Sequence, residues 1–94
     1  MKYVSTRGQA PALGFCDVLL AGLARDGGLY VPETWPQFSA EDFADLAGLS
    51  YDEAAYRLIL PFVGGEIAES DLRAMCAEAY ATFRHEAVAP LVQI

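Results

Sequence analysis

The chain has 94 residues, six basic against thirteen acidic, for a formal net charge of −7, a balance that repels phosphate backbones and anionic headgroups and argues against nucleic-acid binding. A chain this short buries only about two-thirds of the surface its unfolded form exposes. Its hydrophobic fraction of 54% exceeds the roughly 45–50% of soluble domains, so apolar surface is expected to be left over for a partner, while no uncharged stretch approaches the ~18 apolar residues of a membrane span.

Tyr3 and Val4 with Ser5 and Thr6 form a β-favouring run over residues 2–6, read as a first strand. Phe15, Val18, Leu19, Gly22 and Leu23 recur at helical spacing and define an amphipathic helix, expected to stop at Gly27-Gly28. Leu29-Tyr30-Val31 then reads as a second strand ended by Pro32. A parallel pairing of the two strands would require a right-handed crossover. Asp17 interrupts the apolar run that follows Lys2 and Arg7, so the segment is not read as a signal peptide and a cytoplasmic protein is expected.

Ser39 is placed to cap a second helix, with Asp42 at its third position and Phe38 and Phe43 as a hydrophobic staple. That helix ends near Gly48, and Ser50-Tyr51-Asp52-Glu53 reads as another capping box. The third helix carries an apolar stripe of Tyr51, Ala55, Leu58, Ile59 and Phe62, with a kink or stop near Leu60 because Pro61 removes an amide donor. A fourth helix presents Leu72, Met75, Cys76, Ala79 and Phe83 on one face and Asp71, Arg73 and Glu78 elsewhere. From Ala87 the pattern turns extended. These elements define an α+β domain, mostly helical, with about four helices and a short two-stranded β element near the N-terminus. Its core is assigned to Phe15, Leu19, Leu23, Tyr30, Phe43, Leu46, Leu58, Ile59, Phe62, Leu72, Met75, Ala79 and Phe83.

Groups able to do chemistry are few. His85, the single histidine, is read as complementing the negative end of the fourth helix. Cys16 and Cys76 are read as small buried thiols, neither a metal site nor a disulfide. Asp42, Asp45, Asp52 and Glu53 are helix-start and surface charges rather than metal ligands. Asp26-Gly27-Gly28 lies between a helix and a strand, the reverse of the order that aims amides at phosphate, and is taken as a helix stop and tight turn. In Ser5-Thr6-Arg7-Gly8, Arg7 is the one side chain suited to clamp an anion.

Three segments, Tyr3 through Gly8, Phe15 through Pro32, and Tyr80 to Phe83 with Val88 to Val92, resemble the amino-terminal domain of threonine synthases in content, order and spacing. The resemblance covers essentially the whole chain. It implies residues 1–86 as that domain and 87–94 as the connection into a fold-type II pyridoxal-phosphate catalytic domain. The whole enzyme would convert O-phospho-L-homoserine and water into L-threonine and phosphate. By the same resemblance the Schiff-base lysine lies in a Phe-Lys-Asp segment beyond Ile94, so no catalytic, cofactor-binding or metal-binding residue is assigned here. The only lysine is Lys2. Arg7 is then a candidate either for substrate phosphate or for a structural tie to the catalytic domain. A free-standing helical module that accepts a partner segment is the competing expectation.

Overall fold

The computed structural model describes residues 1–94. In chain order the elements are β1 (Tyr3–Ser5), α1 (Phe15–Ala21), β2 (Tyr30–Pro32), α2 (Ala40–Ala44), α3 (Tyr51–Val63) and α4 (Glu69–Ala81). The α+β class with four helices and one two-stranded sheet is the one the sequence predicts.

β1 and β2 pair antiparallel, Tyr3 opposite Pro32 and Ser5 opposite Tyr30. No crossover is therefore needed. The excursion through α1 folds back on itself, with the Thr6 amide on the Leu29 carbonyl at one end of the ladder and the Glu33 amide on the Lys2 carbonyl at the other, both 2.8 Å. Tyr3 also exchanges backbone bonds with Leu13, so the start of β1 is paired on both edges.

α1 stops at Gly22, not at Gly27-Gly28. The Gly22 amide bonds to Val18 while its φ is +72°, a region that an L side chain avoids. Spacing alone had counted Gly22 as a member of the apolar stripe. The helix thus ends one turn early, and residues 23–28 become a separate turn closed by the Ala24 amide on the Gly28 carbonyl at 2.9 Å.

The expected start of α2 is present in full. The Ser39 hydroxyl accepts the Asp42 amide at 3.0 Å, the Asp42 carboxylate accepts the Ser39 amide at 2.8 Å, and the rings of Phe38 and Phe43 lie 5.8 Å apart. At α3 the box does not close, because the Ser50 hydroxyl makes no capping bond. Glu53 turns instead toward Arg73 of α4, at 3.3 Å, and toward Arg57, at 3.8 Å. Pro61 does not end α3 either; the helix runs on to Val63 and closes at Gly64, whose φ of +65° is left-handed. In the last turn proline forfeits a single backbone bond, and the Tyr3 hydroxyl donates to the Phe62 carbonyl there.

The core lies between α3 and α4. Tyr56, Val63, Leu72 and Cys76 form it, with Phe15, Ile59, Leu60, Ile67 and Tyr80 packed around, and Val63 is fully buried. Of the residues assigned to the core from sequence, Leu72 is buried and Phe15, Tyr30, Leu46, Leu58, Ile59 and Phe62 are half-buried. Leu19, Leu23, Phe43, Met75, Ala79 and Phe83 are exposed. Helical spacing found one stripe per helix but could not tell which side the neighbouring helix covers; Tyr56 and Val63, on the inner side of α3, lay outside the stripe chosen.

Candidate interdomain interface

Ser5 to Gln9 and Asp26 to Leu29 meet beside the sheet. The Asp26 carboxylate accepts the Ser5 hydroxyl at 2.8 Å and the amides of Gln9 and Gly28 at 2.9 Å. The Gly28 amide foremost, then Ser5, Gln9 and the charge of Arg7, hold its carboxyl below the usual range against the desolvation that raises it. Gly28 must lack a side chain, because a Cβ there would sit 2.5 Å from the Ser5 hydroxyl oxygen. The sequence reading of Asp26-Gly27-Gly28 as a tight turn holds, and its reading as the stop of α1 does not. Arg7 donates Nη1 to the Asp26 backbone carbonyl at 3.0 Å. That contact makes Arg7 part of the loop's own fastening.

α1 is set in place from a distance. The Glu66 carboxylate, in the turn after α3, accepts the Phe15 amide at 2.5 Å and the Cys16 amide at 3.4 Å. These are among the amides that a helix start leaves without partners, and a carboxylate there complements the positive end of the dipole. Nothing in the local sequence signals this cap, since donor and acceptor are 51 residues apart.

The other predicted groups are scattered. His85 lies beyond the end of α4 and accepts the Ala87 amide on Nδ1 at 3.0 Å, so it closes its own turn rather than capping the helix. Cys76 is buried, with its thiol pushed up first by burial and then by Asp52 and Glu53; Cys16 is half-buried. No group of His, Cys, Asp or Glu converges as a metal site, and no helix is long and apolar enough to cross a membrane.

Surface is what the molecule has in excess. Its accessible area is 6924 Å², against about 5,300 Å² for a compact chain of its mass, a surplus of about 1,600 Å². The radius of gyration is 15.7 Å, where about 12 Å is usual at this length. Only nine of the 94 residues are buried, too few for a closed core. The surplus is apolar: Leu19, Leu20, Leu23 and Leu29 on and behind α1 are 59–87% exposed, and Leu91, Val92 and Ile94 stand free at the end of the chain. Domain interfaces within one chain cover about 600–1,500 Å², slightly less than the surplus. Such a fold exposes more apolar surface than a closed domain of its mass.

Comparison with known proteins gives that fold its family. The family described as threonine synthase N terminus matches residues 2–80, and the chain belongs to it. A threonine synthase of Pseudomonas aeruginosa is 58% identical over the whole chain. A threonine synthase-like 2 protein of Rattus norvegicus is 40% identical over 95 aligned residues. Among solved structures, a PLP-bound threonine synthase from Brucella melitensis superposes with a TM-score of 0.93 at 63% identity, covering 99% of this chain. The chain spans about a fifth of the length of each of these proteins.

Proposed function

We propose that this chain is the non-catalytic N-terminal domain of a cytoplasmic, PLP-dependent threonine synthase, which converts O-phospho-L-homoserine and water into L-threonine and phosphate. The observation that carries the reading is the 63% identity and 0.93 TM-score to a PLP-bound threonine synthase of which this fold is only a fifth. In this reading residues 1–86 are the domain, and 87–94, which hold no helix or strand, lead into the part that holds the cofactor.

The residues present do not suit the cofactor. PLP enzymes bind it through a Schiff-base lysine with partners for its phosphate and ring nitrogen. Lys2 is exposed beside β1, at a shallow depression shared with Glu33, Thr34 and Trp35 and lined by no helix start. No step of the reaction is assigned to this chain. Its role is to cover the catalytic domain.

The interaction-module reading finds no support beyond composition, since the relatives named above are all about five times longer. Phosphate release from O-phospho-L-homoserine with PLP tests the proposal. A product of the same gene read past Ile94 is expected to release phosphate, and the 94-residue chain is not. Absence of release by a folded longer product overturns the enzyme reading.

A further inference from the structure

We infer that one face, Leu19 and Leu20 of α1 with Leu23 and Leu29 behind it, seats the domain on the cofactor-bearing remainder of its own chain; the inference rests on the threonine synthase reading.

α1 carries a smaller share of charged residues than the 13-residue helices α3 and α4. Six of its seven residues are apolar, and its one charge, Asp17, lies in the first turn. The exposed sides of α3 and α4 carry Arg57, Asp71, Arg73 and Glu78, of which Arg57 and Arg73 also pair with Glu53. α1 is covered on one side only, by Phe15 packed at the core and Val18 half-buried, and leaves Leu19 and Leu20 uncovered. The turn extends this face. The backbone bond between Ala24 and Gly28 brings the adjoining Leu23 and Leu29 alongside each other.

The face is also held ready. Glu66 fixes the start of α1, and the Asp26 carboxylate fixes the turn that carries Leu23 and Leu29 by bonding the Gly28 amide and the Ser5 hydroxyl. An interface pre-ordered in this way loses little side-chain or loop entropy on docking. The occupant follows from length, because four-fifths of the related proteins lies outside this fold.

The test uses the longer product of the same gene, with Leu20→Cys and Glu78→Cys made separately and maleimide labelling followed by peptide-resolved mass spectrometry, which separates these thiols from Cys16 and Cys76. Cysteine at position 20 is expected to label more slowly than at position 78 by about tenfold or more, the ratio set by an opening cost of about 1.4 kcal/mol. Equal rates overturn the inference. Protection that vanishes on dilution to monomer assigns the face to a second copy and likewise overturns it. Phosphate release by the same samples separates the two claims: an active enzyme with an unprotected face refutes the docking assignment alone, whereas a protected face in an inactive protein refutes the threonine synthase reading and leaves the interface standing.

Discussion

Gly14 and Glu66 should behave as a coupled pair, although they are far apart in sequence. Removing the carboxylate by Glu66→Ala frees the first amides of α1, and loss of a helix-capping group costs about 0.5–2 kcal/mol. Taking about 1 kcal/mol, the melting temperature of a chain this size falls by roughly 4–8 °C. Gly14 itself has φ −77° and ψ 173°, ordinary extended backbone, so a methyl group there meets no backbone strain. What it meets is Glu66, whose carboxylate oxygen would lie 2.8 Å from the new Cβ. Gly14→Ala alone should therefore displace the cap and cost about as much as Glu66→Ala. In the Glu66→Ala background the same change should cost clearly less than it does alone, because the cap it would displace is already gone. Thermal and urea unfolding of the four proteins by circular dichroism measures the cycle. Costs that simply add would refute the claim that Glu66 caps α1.

Val63→Ala removes two methyl groups from the one fully buried large side chain; the loss is about 2 kcal/mol, read as a lower midpoint in urea with unchanged slope. Asp26→Ala should speed hydrogen exchange at the Gln9 and Gly28 amides, which lose their acceptor, and leave the α3–α4 core protected. Because the Asp26 carboxyl is held low in the folded state, its contribution is fully present above the unfolded value of about 3.9 and is lost as pH falls through the lower folded value; protection of the Gln9 amide, taken relative to its intrinsic exchange rate at each pH, should fall in that acid range and stay constant near neutrality. Ser39→Ala opens the capping box of α2 at a cost of about 1 kcal/mol, seen as faster exchange at the Asp42 amide without loss of the core.

What could be read from sequence was what neighbouring residues decide. The start of α2 was legible because Ser39, Asp42, Phe38 and Phe43 all lie within one turn. The same pattern at Ser50 failed because Glu53 had a better partner, Arg73, on another helix. Pro61 was read by its local cost, while the contact that stabilises the end of α3 comes from Tyr3, 59 residues away. At α1 the apolar spacing was genuine, yet it marked Leu19 and Leu23 as core when the domain leaves them uncovered. Arg7 was singled out for its charge, and the partners that place it, Asp26 and Ser5, appear only once β1 and the turn after α1 are brought together.

Retention of PLP tests the central claim most directly, that the cofactor chemistry lies outside this domain. The 94-residue chain and the longer product of the same gene are each incubated with PLP, freed of excess by gel filtration and scanned for visible absorbance. The account predicts near-equimolar cofactor on the longer protein and none on the 94-residue chain. Cofactor retained by the short chain through Lys2 would contradict it.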